Sequence, residues 1–281
     1  MAQLDVSTLA TRGYVNVTYP EELRAGVKNA VAAWEAFCAL PEETKRMVSY
    51  SGDGNVSGVG YELKLESGIN KDLKEDFHVR ETERDLIIGE ARKAGSIAVK
   101  FVETGLALNE LVAPVLAEFA NAVEKQFAMP RFAADVAVKQ PRALFRFLHY
   151  FGDRKIGDEL AVPHVDKGGF TLHLYESHPG LEYLSFKRAW EPMAFTENET
   201  AIIPAMRMQL RSENRLKSTC HRVVANAETA VAGRFSAVCF VDFARTPFYD
   251  KAKHGRLQER PPAFNYNMSL NEFEKLFAPY V

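Results

Sequence analysis

Near the middle of the chain, Pro163-His164-Val165-Asp166 sets an imidazole and a carboxylate two positions apart. On a strand, residues i and i+2 share a face, so the two groups would stand side by side and suit adjacent positions around a metal ion. Alone, such a triplet is equally a surface histidine paired with an aspartate. A second histidine changes the balance: Ser218-Thr219-Cys220-His221-Arg222-Val223-Val224 carries His221 inside an apolar, β-branched run. Two imidazoles and one carboxylate are a facial donor set for Fe(II), which leaves positions open for a cosubstrate and O2. A structural zinc site would close its shell with four ligands, usually including cysteine. Cys220 is adjacent to His221, points to the opposite strand face, and is a poor fourth ligand. A third pair, Arg234 and Ser236 in Gly233-Arg234-Phe235-Ser236, again shares one strand face. A guanidinium fork binds a carboxylate with two hydrogen bonds and the hydroxyl adds a third donor, which suits a dicarboxylic cosubstrate. The apolar run after it, residues 237–243, makes the strand interior, where a buried arginine needs an anion.

These residues fall in the second half of the chain. After Pro141, short runs rich in aromatic and β-branched residues are separated by Gly, Pro and Asn: residues 144–150, 170–175, 181–186, 200–203, 221–224 and 235–243. Such spacing predicts an antiparallel sandwich or barrel. The first half reads differently. A short strand at 13–17 is followed by a helix over 20–39, with Val27, Val31, Trp34 and Cys38 at helical spacing. Another helix starts near Pro41, and 51–60 is a Gly/Ser-rich loop. Residues 97–127 form a long amphipathic helix, with Pro114 as a point where it kinks or splits. A small-residue hairpin is expected at 227–232, and a last helix at 270–276 begun by Ser269. We read 1–281 as one domain: a helical part, 1–140, packed on a β-rich core, 141–281, with no Pro/Ser linker between them.

Composition narrows the function classes. The chain has 281 residues, 47% of them hydrophobic, and 35 Lys+Arg against 37 Asp+Glu for a formal net charge of −2. That is an ordinary globular composition, and it gives no support to nucleic acid or an anionic membrane as the partner. No uninterrupted apolar run approaches the roughly 20 residues needed to span a bilayer. No secretory signal is visible at the start. Three cysteines, Cys38, Cys220 and Cys239, make no disulfide framework and suggest a reducing cytoplasm.

The order and surroundings of these motifs resemble the isopenicillin N synthase-like branch of the 2-oxoglutarate/Fe(II) dioxygenases, over nearly the whole chain. Pro163 to Leu172 is similar to that family's P-H-x-D-x-G-x-[LF]-T-L segment, and Gly180-Leu181-Glu182-Tyr183-Leu184 to its G-L-x-V-L strand. Lys217-Ser218 followed by His221-Arg222-Val223-Val224-Ala225-Asn226 resembles its K-S-x-x-H-R-V-x-x-N stretch, with Leu216 where an aromatic is usual. Leu40-Pro41 with Lys45, Gly60-Tyr61 and residues 72–77 resemble its N-terminal region. Arg146 with Tyr150 resembles its R-x-x-x-Y motif.

The resemblance implies a mainly β fold with flanking helices and a double-stranded β-helix (jelly-roll) core. It implies Fe(II) held by His164, Asp166 and His221, and the distal carboxylate of 2-oxoglutarate held by Arg234 and Ser236 with Tyr150 assisting. The reaction would consume O2, release succinate and CO2, and hydroxylate or desaturate a small-molecule metabolite. The carboxylate of Asp166 leaves no ligand position for a halide. An alternative is a 2-oxoglutarate-independent oxidase that closes a ring with O2, since some members keep the Arg-x-Ser without using 2-oxoglutarate. A third is a non-catalytic binding protein, which the intact triad argues against. The sequence does not fix the oligomeric state.

Other polar residues receive structural readings. His173 is expected to be a satisfied core histidine, and His78, His149, His178 and His254 have no nameable partner. Lys64, Lys71 and Lys74 read as a solvated charge run, and Cys239 as core. Ala205-Met206 stand where the family often has Gly-Asp. Arg207 follows in a strand-like run, 206–210. If that strand turned Arg207 inward it would need an anion, which would point to a carboxylate-bearing substrate; the competing expectation is that it pairs with a nearby Asp or Glu or points outward.

Overall fold

The computed structural model describes residues 4–52, 58–65, 73–250, 253 and 268–278. Lys71 and His254 lie outside them.

Eleven strands among the described residues build two antiparallel sheets. They are β1 (Val15–Thr18), β2 (Gly60–Leu65), β3 (Leu73–Arg80), β4 (Leu144–Tyr150), β5 (Glu159–His164), β6 (Phe170–Glu176), β7 (Leu181–Leu184), β8 (Trp190–Pro192), β9 (Glu199–Pro204), β10 (His221–Val224) and β11 (Arg234–Val241). The larger sheet runs β1-β9-β6-β11-β4-β3-β2 and the smaller β5-β10-β7-β8. This is the expected jelly-roll core, and β1, β2 and β3 from the N-terminal half extend its large sheet.

Strand alternation sorts the large sheet into two faces. Phe77, Phe145, Phe147, Leu172, Leu174, Ala237, Cys239 and Val241 point to one side and share a core with the helices. Leu148, Tyr150, Ala201 and Ile203 point to the other and meet Leu160, Leu181, Tyr183 and Val223 of the small sheet. The helical side is covered by α2 (Glu21–Cys38) and α5 (Ser96–Gln126). Trp34, Phe37, Phe77, Phe101 and Phe147 pack there as one aromatic cluster, with centroids 4.9 to 6.4 Å apart. Pro114 does not split α5, which continues through it. By length and hydropathy α5 is also able to cross a membrane, but 56% of its apolar window is buried inside the protein. The remaining described α-helices are α1 (Thr8–Thr11), α3 (Glu42–Lys45), α4 (Arg84–Ala94), α6 (Phe132–Lys139), α7 (Met206–Arg211), α8 (Ala227–Ala232) and α9 (Leu270–Glu274).

Two segments differ from expectation. The run 206–210 is not a strand but the helix α7, made of Met, Arg, Gln and Leu, all good helix formers. The small-residue segment 227–232 is not an open hairpin but the Ala-rich helix α8. The Asn226 side chain accepts from the Thr229 amide at 2.9 Å, and the Thr229 hydroxyl accepts from the Asn226 amide at 2.9 Å. Gly233 then turns the chain into β11 at φ +79°, where a Cβ would lie 2.4 Å from the Tyr150 carbonyl oxygen. That turn delivers Arg234.

Candidate metal centre

His164 ends β5 and His221 begins β10, and the two are direct partners across this antiparallel pair. Their ring centroids lie 4.3 Å apart. Asp166 follows two residues beyond β5, with Oδ1 3.8 Å from His164 Nε2 and Oδ2 3.8 Å from His221 Nε2. One ligand atom from each residue lies within 4.8 Å of the others. His164 Nδ1 donates to the Val162 carbonyl at 2.8 Å and His221 Nδ1 to the Thr219 carbonyl at 3.0 Å. A carbonyl only accepts, so each Nδ1 carries the proton and each Nε2 presents a lone pair. Burial and the facing His221 imidazole push the His164 pKa down to about 4, which keeps it neutral and able to ligate. The Thr171 hydroxyl donates to Asp166 Oδ2 at 2.5 Å. Two neutral imidazoles and a carboxylate therefore converge with their acceptor atoms inward, a donor set that fits Fe(II). Cys220 points away, into an apolar cluster with Val165, Leu184, Met206 and Phe273.

Helix α7 braces the loop that carries Asp166. The Met206 amide donates to the Asp166 carbonyl and the Arg207 amide to the Gly168 carbonyl, both at 2.9 Å. The Arg207 side chain is 1% exposed. Its guanidinium pairs with Asp242 at 2.5 Å and donates to the carbonyls of Phe243, Thr246 and Pro247. The protein itself supplies its anion, so Arg207 is no evidence for a substrate carboxylate.

Arg234, Ser236 and Tyr150 lie on the inner face of the large sheet. Arg234 is opposite Tyr150 in register, and Ser236 is opposite both Leu148 and Glu176. Arg234 is 1% exposed. It donates through Nε to the His178 carbonyl at 3.0 Å and is ion-paired through Nη2 with Glu176. Ser236 Oγ donates to the Tyr175 carbonyl at 3.1 Å. Tyr150 is buried, with the Lys74 ammonium 5.4 Å from its ring centroid. Glu176 escaped the sequence reading for a local reason. Tyr175 is opposite Ala237 but His173 is opposite Val238, so Leu174 is an extra residue in β6. This bulge puts Glu176 on the same face as His173, where strict alternation would put it on the other.

His173 is not the satisfied histidine expected. It is 3% exposed and stands 4.8 Å from the Phe195 ring, and neither nitrogen has a hydrogen-bond partner among the described residues. Burial, then the nearby Arg234 and His221, push its pKa down to about 3. Lys64 and Lys74 are not a solvated run either. Lys74 is 4% exposed, and Lys64 lies 2.8 Å from Glu62 and 3.4 Å from Asp76. Arg146 holds the buried Asp76 at 2.5 Å, next to a neutral, buried His78. His149 finds partners as well: it stacks on Phe235 at 4.1 Å and donates to Glu75 at 2.9 Å. Cys38, Glu75 and His149 form a second cluster of potential ligands. Glu75, however, is already served by Lys45 at 2.5 Å, Tyr61 at 2.8 Å and His149. Burial alone would raise its carboxyl, but those hydrogen bonds outweigh it and hold the pKa near 2, so the cluster needs no ion.

Residues 144–242 match the family model of the 2OG-Fe(II) oxygenase superfamily, a span that contains the triad, Arg234, Ser236 and Tyr150. The match places residues 144–242 in that superfamily. The protein is a non-haem Fe(II) dioxygenase dependent on 2-oxoglutarate. Solved structures agree on the fold. A full-length Neurospora crassa protein in complex with alpha-KG superposes with TM-score 0.68 at 20% identity, covering 84% of this chain and 77% of its own. The dioxygenase for auxin oxidation of rice gives TM-score 0.65 at 20% identity, over 96% and 92% of the two chains. Its Arabidopsis thaliana counterpart, solved with 2-oxoglutarate, gives 0.62 at 18% identity, over 83% and 84%. No curated protein matches this oxygenase.

Proposed function

We propose that this oxygenase hydroxylates or desaturates a small polar metabolite, with His164, Asp166 and His221 as the iron ligands and Arg234 as the anchor for 2-oxoglutarate. The convergence of the three ligand atoms at the open end of β5 and β10 is the observation that carries this reading. Bound Fe(II) supplies the activation of O2 that C–H oxidation requires. The chain does the rest. His164 and His221 present fixed lone pairs, and Thr171 holds Asp166 in place. Arg234 stands on the inner face of the facing sheet. Its buried guanidinium is the planar fork that suits a carboxylate. Ser236 and Tyr150 lie beside it. The apolar residues between the sheets, among them Leu148, Ile203 and Val223, exclude water from the reacting centre. Lys64, Lys74, Asp76, His78 and Arg146 extend this inner face with polar groups, which favours a polar substrate over a hydrocarbon.

Anaerobic addition of Fe(II) and then 2-oxoglutarate to the full chain tests the cosubstrate. The expected result is the weak visible charge-transfer band of a chelated 2-oxo acid. A panel of small metabolites, followed by succinate release, then identifies the substrate. No band and no Fe(II)-dependent succinate release with any of them would overturn the proposal.

A further inference from the structure

The two groups assigned to the distal carboxylate of 2-oxoglutarate are already engaged. Arg234 Nη2 is ion-paired with Glu176, and the Ser236 hydroxyl donates to the Tyr175 carbonyl. The bulge at Leu174 is what turns Glu176 toward Arg234. Glu176 is largely buried, with 14% side-chain exposure, and burial raises its carboxyl pKa in spite of the adjacent guanidinium. The same carboxylate oxygen lies 3.9 Å from His173 Nε2, on a buried imidazole with no hydrogen-bond partner among the described residues. A carboxylate bracketed by a buried guanidinium and a buried imidazole, on the wall that faces the metal ligands, has the surroundings of a bound ligand's carboxylate.

We propose that Glu176 is the resident anion of the cosubstrate subsite: its carboxylate occupies the place on Arg234 that the distal carboxylate of 2-oxoglutarate takes, and cosubstrate binds by displacing it. This inference rests on the assignment of Arg234 as the cosubstrate anchor. Binding then exchanges one carboxylate for another on the same guanidinium. The distal carboxylate therefore adds far less affinity than an unoccupied buried arginine would give, and Glu176 sets how strongly the enzyme prefers a dicarboxylic 2-oxo acid. A neutral amide at position 176 competes more weakly, because hydrogen bonds to a charged acceptor are roughly twice as strong as neutral ones.

The test is anaerobic calorimetry on the full chain loaded with Fe(II). It compares 2-oxoglutarate with 2-oxobutanoate, which lacks the distal carboxylate. Glu176→Gln is expected to tighten 2-oxoglutarate by about tenfold or more while leaving 2-oxobutanoate within about twofold. A gain of affinity is not produced by damage to the fold. Glu176→Ala serves as a second variant with the same expectation. Unchanged or weakened 2-oxoglutarate binding in the folded variants overturns the proposal and makes Glu176 an orienting partner of Arg234. If neither variant folds, the wild type decides. A preference for 2-oxoglutarate over 2-oxobutanoate below about thirtyfold supports displacement, and a larger one overturns it. Wild-type affinity for 2-oxoglutarate that is indifferent to Arg234→Ala overturns the anchor assignment itself, a result distinct from the failure of Glu176 alone.

Discussion

His164 and His221 are held by the same device: each Nδ1 donates to the carbonyl two residues earlier in the chain, Val162 at 2.8 Å and Thr219 at 3.0 Å. Because the two residues are also cross-strand partners, both Nε2 atoms turn toward Asp166. Removing one of three ligands leaves a pair that cannot hold the ion facially. His221→Ala is therefore expected to weaken Fe(II) binding sharply and to abolish turnover. Metal titration of the folded variant checks this, and wild-type affinity would sink the ligand assignment.

Thr171 braces the candidate ligand Asp166, to which its hydroxyl donates at 2.5 Å. Thr171→Val keeps a β-branched side chain on β6 and removes only that donor. Loss of such an outer partner typically lowers metal affinity about 10–100-fold. Equal Fe(II) affinity in wild type and variant, with unchanged melting, would show that the hydroxyl does not position Asp166.

Arg234→Ala removes the cation of the inner face and leaves Glu176 buried beside a neutral imidazole. Truncating one partner of a buried charged pair costs about 2–5 kcal/mol, so the Michaelis constant for 2-oxoglutarate should rise about tenfold or more. The abandoned carboxylate also destabilises the fold. The double variant Arg234→Ala/Glu176→Ala is expected to unfold at higher urea than Arg234→Ala alone, and a lower midpoint would contradict the pairing.

Arg207 joins α7 to the segment after β11 through Asp242 and three backbone carbonyls. Arg207→Leu strands those acceptors and is expected to cost about 2–4 kcal/mol of stability, less than a fully buried pair because Asp242 reaches solvent. Urea unfolding measures the loss. A substrate Michaelis constant raised in protein still folded at the assay temperature would revive a substrate-binding role for this residue.

Much of the site was legible because its residues are local. Arg234 and Ser236 sit two apart on β11, which puts them on one face, and His164 and Asp166 sit two apart where β5 ends and its loop begins. What escaped the sequence depends on departures from regular alternation or on long-range pairing. Glu176 reaches Arg234 only through an unopposed Leu174, and no residue type in Leu172-His173-Leu174-Tyr175 announces a bulge. The run around Arg207 was misread as a strand because Met206-Arg207-Met208-Gln209-Leu210 alternates like one, yet its residues have high helix propensity and form α7, while the pairing of Arg207 with a nearby acid was foreseen. Lys64 and Lys74 looked solvated until β2 and β3 extended the large sheet and turned them against Asp76 and Tyr150. The jelly-roll itself was visible in the spacing of short strands, whereas β2, β3, β5 and β8 were not. In β2 and β3 charged residues interrupt the apolar alternation.

His78 and His173 make stability depend on pH. Both are buried, and burial pushes each pKa down from 6.5 to about 3. The unfolded chain takes up a proton on each as the pH falls through 6.5, while the native protein stays neutral there until about pH 3. The native state is then the one that binds fewer protons, so its stability is full above pH 6.5 and declines as the pH falls toward 3. Glu75 acts with the same sign at lower pH, because its carboxyl is held near 2 in the native state against an ordinary 4.5. Each buried histidine adds a slope of up to about 1.4 kcal/mol per pH unit within its window. His173→Leu places an apolar side chain against Phe195 and removes one titrating group. Urea unfolding of the variant across a pH series is expected to show a slope shallower by about that amount between roughly pH 6 and 4.5. Identical slopes in wild type and variant would mean that His173 is charged and paired in the native protein, which would also undo its place beside the Glu176 carboxylate as a neutral ring.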